Sequence, residues 1–178
     1  MKSLKRIITT TTLLVSLASS LQAFQSSDWI KFAPPGGGFS VMVPAEPKEL
    51  ESAPVKDFTA HAFGMVVDNA VYVICYGDYA PSIHLNTDAE LLANRDNFLK
   101  GLNGTAGSTN KIALDGHAGI EFTGESAEYT FESRVYLSGN RVYQVAVGVK
   151  KGGPDNAASS ARFLKSFAFV STQDHSRP

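Results

Sequence analysis

The chain has 178 residues, 16 Lys plus Arg against 17 Asp plus Glu, and one cysteine. A chain of this size buries roughly 70% of its unfolded surface as one domain, so it needs no disulfide staple, and a lone thiol cannot form an internal bridge. No dense basic cluster supplies an electrostatic reason to bind nucleic acid or anionic lipid, because phosphate binding is driven by concentrated Lys and Arg.

Lys2, Lys5 and Arg6 precede an apolar run from Ile7 to Ala18 and a small, polar stretch ending Leu21-Gln22-Ala23. This is the pattern of a secretory signal peptide, and the run is well short of the roughly 20 residues that span a bilayer. Cleavage is expected after Ala23, with Ser20 as the alternative because Leu21 is a poor minus-three residue. No cysteine lies near the junction to carry a lipid. Residues 24–178 would then form a single domain ending in a frayed tail at 171–178, and the expected location is the periplasm or the medium. Removing residues 1–23 takes away three cations and no anions, leaving 13 against 17, or a net charge of −4.

Two short strands, Trp29 to Phe32 and Phe39 to Val43, are expected on either side of Pro34-Pro35 and three glycines, which punctuate a turn. Residues 45–54, AEPKELESAP, are polar and proline-bounded and read as a loop. Strands over Val55 to Val67 and Ala70 to Tyr79 flank Asp68-Asn69, a pair that tolerates positive φ in a tight hairpin. Cys75 sits in the apolar run VYVICYGDY and reads as a small core hydrophobe, since a reactive thiol needs a basic activator nearby.

At residues 87–103 the period changes to that of a helix, with Leu91, Leu92, Arg95, Phe98, Leu99 and Leu102 on one stripe. Thr87 and Glu90 have capping-box spacing, and Gly104 and Gly107 end the pattern. Strands follow at Thr109 to Leu114, His117 to Gly124, Tyr129 to Ser138 and Arg141 to Lys150. A last helix is expected from Asp155, its N-cap, to Ser166, with Ala158, Ala161, Leu164 and Phe167 inward. A short strand over Phe167 to Val170 closes the domain.

A two-residue turn at Gly139-Asn140 pairs Leu137 with Val142, Tyr136 with Tyr143, Val135 with Gln144 and Arg134 with Val145. A turn at Ser126-Ala127 would pair Phe122 with Phe131 and Glu121 with Glu132. One face of this meander then carries Ala118, Ile120, Phe122, Phe131, Val135, Leu137, Val142 and Ala146. The other carries Glu121, Glu132, Arg134, Tyr136, Tyr143, Val145 and Val147. Large apolar residues on both faces demand a cover on each, which predicts an α+β fold, an antiparallel sheet with helices on both faces.

The element order, with WIKFAPPGGGFSVMVP near the start and VYLSGNRVYQVAVGVKKG and ARFLKSFAF near the end, resembles the PsbP-like family, including the DcrB-type exported bacterial proteins. The resemblance implies an α/β/α sandwich and a non-enzymatic accessory subunit working beside a membrane complex. It transfers no functional residue, because neither segment is a binding or catalytic motif.

The chemistry-bearing residues fit that picture. The chain has no G-x-S-x-G, H-E-x-x-H, G-x-x-x-x-G-K-[ST] or C-x-x-C motif and no EF-hand loop, and no cofactor is expected. Gly36 to Gly38 lead into a strand, whereas a phosphate cradle opens a helix. VKKGGPDN leads into the last helix, but Asp155 already places a negative charge there and would repel an anion. His61, His84, His117 and His175 are scattered singly. The candidate binding residues are Glu121, Glu132, Arg134, Tyr136 and Tyr143, which the expected register gathers on one face. Two opposed carboxylates would raise one pKa unless a cation lies between them, and Arg134 is placed to be that cation. Three functions follow: an exported, non-catalytic domain that binds an envelope protein through the tyrosine face or loop 44–56; a hydrolase built on Glu121, Glu132 and Arg134; and a metal-binding module using His61 or His117.

Overall fold

The computed structural model describes residues 29–52 and 55–170. The expected signal peptide and the tail at 171–178 lie outside the described residues. The strands are β1 (Ile30–Phe32), β2 (Phe39–Val43), β3 (Lys48–Leu50), β4 (Phe58–Val67), β5 (Ala70–Tyr79), β6 (Thr105–Leu114), β7 (His117–Glu125), β8 (Tyr129–Ser138), β9 (Arg141–Lys150) and β10 (Ala168–Phe169). The helices are α1 (Thr87–Gly101), between β5 and β6, and α2 (Ala157–Lys165), between β9 and β10. The fold is mixed α+β, with a seven-stranded sheet ordered β3-β4-β5-β9-β8-β7-β6 and a small sheet ordered β1-β2-β10. Every strand pair is antiparallel.

The large sheet has two apolar faces, as its sequence demands. On one, Leu91 and Leu99 of α1 pack with Ile120, Phe122, Phe131, Val135, Leu137 and Val142. On the other, Phe39, Val41 and Val43 of β2 and Phe163 and Leu164 of α2 pack over Tyr72, Ile74, Tyr76, Tyr136, Tyr143, Val145 and Val147. The small sheet was not foreseen as a layer. It forms because β2 has β1 on one side and β10 on the other, with Phe39 opposite Phe169 and Val43 opposite Ile30.

Several boundaries move for identifiable reasons. Residues 48–50, expected as loop, pair with β4 at the sheet edge, where backbone hydrogen bonding needs no apolar alternation, and Leu50 packs at Gly64. The strand expected from Val55 starts at Phe58, because Asp57 adopts φ 63° in a tight turn. The Thr87/Glu90 capping box does not form. Asn86 is the N-cap, accepting from the Ala89 amide at 3.0 Å, while Glu90 accepts from Asn94 Nδ2 at 2.8 Å and from the Tyr79 hydroxyl, tying α1 to β5. Leu92 falls off the buried stripe and is exposed. Strand β6 begins at Thr105 rather than Thr109, across a bulge between Ala106 and Thr109. Helix α2 begins at Ala157 with Asn156 as its cap. Asp155 Oδ1 accepts from the Ala157 amide at 2.9 Å one step earlier, and the inward stripe is Ser160, Phe163, Leu164 and then Phe167, with Ala158 exposed.

The Gly139-Asn140 hairpin pairs as the turn dictates, Tyr136 facing Tyr143 and Leu137 facing Val142. The preceding hairpin does not. Its turn residues are Ala127-Glu128, closed by a hydrogen bond from the Ser126 amide to the Tyr129 carbonyl at 2.8 Å and one from the Tyr129 amide to Ser126 Oγ at 3.2 Å. Moving a two-residue turn along by one shifts the register by two, so Glu121 faces Arg134 and Thr123 faces Glu132. Because the side-chain period is also two, every residue keeps its expected face.

On the β2 side a row of rings crosses five strands in register: His61, Tyr76, Tyr143, Tyr136 and, in place of a fifth side chain, Gly119. The Tyr136 ring lies over that glycine. A Cβ there would come within 2.5 Å of the Val135 carbonyl oxygen and 2.6 Å of Tyr136 Cδ1.

Gly119→Ala is expected to cost about 1–3 kcal/mol through overpacking against backbone, and Phe163→Ala about 3–5 kcal/mol by emptying a fully buried site. Urea denaturation of the two variants tests both, and a Gly119→Ala protein as stable as wild type would contradict the packing described.

Candidate functional site

The five sequence-predicted residues lie on one face of β7, β8 and β9, but the register changes what they do. Arg134 Nε and Nη2 both approach Glu121 Oε2, at 2.7 Å and 2.6 Å. Arg134 Nη1 donates to the Leu164 carbonyl in the last turn of α2 at 3.4 Å. A cation beneath the open carbonyls of a helix end is favourable on two counts, charge against the dipole and a donor for an unpaired acceptor. The carboxylate pair expected from sequence is therefore a carboxylate–guanidinium pair. Glu132 is the diagonal neighbour, exposed, opposite Thr123.

The tyrosines are not a surface. Tyr136 is 3% exposed and Tyr143 6%. Tyr136 stacks on Phe167 at 5.3 Å, and Phe169 meets the edges of Tyr136 and Tyr143 at 6.0 and 5.2 Å. Burial pushes the Tyr136 hydroxyl pKa up, with Arg134 opposing the effect. A phenol of raised pKa stays protonated and so is not available as a base, and this one is almost wholly buried.

A second ion pair was not foreseen. Arg141 faces Asp78 across β5 and β9 and grips it with a two-pronged fork, Nε to Oδ1 at 2.6 Å and Nη2 to Oδ2 at 2.7 Å. Its third nitrogen donates to the carbonyls of Gly36 and Gly37 at 2.7 and 3.2 Å. The Asp78 hydrogen bond raises the guanidinium pKa further, and the plane sits 5.4 Å from the Tyr76 ring centre. Arg141 thus pins the turn of positive-φ glycines, Gly36 and Gly38, to the large sheet. Sequence could have found this only by pairing β5 with β9, and Asp78 and Arg141 lie 63 residues apart with no local signal to join them.

The other motifs resolve locally. Lys151 pairs with Glu125 at 2.8 Å, which lowers the Glu125 carboxyl pKa, and Asn156 Nδ2 donates to the Tyr72 hydroxyl at 3.1 Å. His61 stacks on Tyr76 at 4.6 Å and His117 lies against Phe169 at 4.5 Å. They share a sheet face, but β4 and β7 are four strand spacings apart, about 19 Å. Cys75 is partly covered, and desolvation pushes its thiol up to about 12.

Grooves border the sheet among the described residues. A groove of about 460 Å³ lies beyond the C-terminal end of α1, walled by Val66, Val71, Val73, Phe98, Leu102 and Phe131. None of the five predicted residues lines it. Glu132 lines a shallower groove of about 310 Å³ with Thr105, Thr123, Thr130 and Glu125. Among the described residues no group of three or more His, Cys, Asp or Glu is arranged to hold a metal, and no helix is long and apolar enough to cross a membrane.

No family model and no curated protein matches the sequence. Among solved structures, the chain is similar to the solution structure of cyanobacterial PsbP (CyanoP) from Synechocystis sp., with a TM-score of 0.55 at 10% identity over 85% of this chain and 98% of that one. A crystal structure from Bacteroides thetaiotaomicron aligns with a TM-score of 0.45 at 17% identity, over 81% of this chain and 49% of that one. The fold is PsbP-like.

Replacing Arg141 with Lys keeps the charge but loses the fork. It is expected to cost about 1 kcal/mol at this half-exposed pair and to speed exchange of the Gly37 amide, which now donates to the Pro34 carbonyl at 3.0 Å; unchanged Gly37 exchange by NMR would contradict the pinning role. With its pKa near 12 rather than 9, Cys75 at pH 8 should hold about a thousandfold less thiolate than in the unfolded chain. Labelling by an aromatic disulfide reagent should be slow until urea unfolds the protein, and stability should fall as pH rises from about 9 towards 12, where the unfolded thiol ionises and the native one does not.

Proposed function

We propose that this chain is a non-catalytic accessory domain, exported to the cell envelope by residues 1–23, where it binds a partner protein. The observation that carries this reading is how the chemistry-bearing cluster is used. Glu121 is held by Arg134, Arg134 reaches to the end of α2, and Tyr136 and Tyr143 lie beneath Phe167 and Phe169. These residues join layers rather than face a substrate. The PsbP-like fold supports the same reading through the family resemblance, which implies an accessory role. In this reading the molecule is a sandwich, with α1 over one face of the large sheet and α2, together with the small sheet, over the other.

The buried tyrosines leave the contact to the exposed groups at the sheet margins. The described part of loop 44–56, with Lys48 and Glu49 exposed on the edge strand β3, is the proposed contact, and Glu121, Glu132 and Arg134 form its polar counterpart on the far side. A hydrolase built on these residues would need two free carboxylates flanking one scissile bond, an acid for the leaving group and a base or nucleophile opposite, whereas Glu121 is committed to a cation and Glu132 faces Thr123. A metal module would need His61 or His117 beside free carboxylates, whereas His61 stacks on Tyr76 and His117 lies against Phe169.

Two measurements test the proposal. Expressed with its own N-terminus in a Gram-negative host, the chain should leave the cytoplasm and start at Phe24; an intact, cytoplasmic product would rule out export. A photocrosslinker at Glu49 should give one discrete adduct with an envelope protein in intact cells. Absence of any adduct at Glu49, with the domain folded and exported, would remove the proposed contact.

A further inference from the structure

The two margins of the seven-stranded sheet are unequal. One is β3, three residues long, and the other is β6, ten residues long and largely exposed. Among the described residues no strand lies on the outer side of β6. A long edge offers a row of backbone donors and acceptors to any extended partner, and the geometry of β6 specifies which groups these are.

Strands β6 and β7 are joined by Asp115-Gly116, both with positive φ, and Leu114 faces His117. A two-residue turn of this kind is closed by the pair that exchanges both backbone hydrogen bonds. Leu114, Ile112 and Asn110 therefore bond inward to β7, while Ala113, Lys111 and Thr109 direct N–H and C=O outward. Pairing is continuous from Leu114 to Thr109 and breaks at the bulge beyond it, so the usable edge is 109–114.

We infer that this edge pairs antiparallel with the same edge of a second copy, centred on Ile112, so that the two seven-stranded sheets become one. A two-fold centred on Lys111 would set two ammonium groups directly opposite each other, which is destabilising. Moving the centre by one residue sets Lys111 opposite Ala113 of the second copy and Ala113 opposite its Lys111, and all four outward bonds of these residues are made. Ile112 then meets its own mate in the closer, non-hydrogen-bonded kind of pair, a β-branched contact of the sort that stabilises cross-strand neighbours. A lysine usually guards an edge against such pairing. Here Lys111 Nζ is drawn back to Asp88 of α1 at 2.7 Å, on the chain's own helix face and away from the edge.

Sedimentation of the full-length protein across micromolar to millimolar concentrations should show its mass doubling. Lys111→Pro removes an outward donor while leaving the inward ladder intact, and should keep the native circular dichroism and return the protein to monomer. Ile112→Cys should join the two copies through a disulfide, because Cα atoms about 4.5 Å apart in such a pair lie within bridging reach; Asn110→Cys should not, since it faces Leu114 of the second copy. A wild-type chain that stays monomeric throughout overturns the inference, as does a dimer that survives Lys111→Pro or one that Ile112→Cys fails to cross-link. A monomer that instead takes up an unrelated extended peptide overturns it equally.

Discussion

The structure depends on a sheet with two hydrophobic faces. A strand that alternates apolar and polar residues can float with one side in water, but β5, β8 and β9 carry large side chains on both sides, so neither face is stable until something lies on it. Tyr72, Tyr76, Tyr136 and Tyr143 fill one side, and Val135, Leu137 and Val142 the other. Each such side chain removed from water contributes about 1.5–3 kcal/mol, which is the drive that packs Leu91 and Leu99 of α1 into one buried cluster and Phe163 and Leu164 of α2, with β2, into the other.

The row from His61 to Tyr136 shows how that drive becomes a particular architecture. Rings in register across four strands leave a ridge on the sheet, and Gly119 makes room at its end for Tyr136 to lie flat. Phe39, Phe167 and Phe169 seat on the ridge from above, through stacked and edge-on contacts. The ridge is why three short strands, each too small to stand alone, form a layer at all. It is also why the tyrosines, which in sequence look like a recognition surface, are interior. A phenol ring is mostly apolar area with one polar atom, and that atom is served here by groups such as Arg134, Arg141 and Asn156 at the rim of the core.

Arginine does parallel work at two corners. Arg134 links β7, β8 and the end of α2, and Arg141 links β5, β9 and the glycine turn. In each case one planar head with several fixed donors satisfies a carboxylate and backbone carbonyls together. Groups spent in this way tie layers together, so Glu121 and Arg134, which suggested chemistry in the sequence, are joined to each other and to the end of α2 in the fold.

What the sequence by itself determined was local. The periods of two and 3.6, the Gly139-Asn140 and Asp68-Asn69 turns and the two-faced composition of the meander were enough to place most strands, both helices and the face of each meander side chain, because these follow from one residue's relation to its near neighbours. Only the tertiary structure decided the partners. The turn at Ala127-Glu128 contains no residue that marks it, so Glu121 met Arg134 instead of Glu132. Asp78 met Arg141, and β10 met β2, across long stretches of chain that no periodicity spans. Contacts of that range are chosen by which surfaces can be buried together, a property of the whole packed core and not of any segment in it.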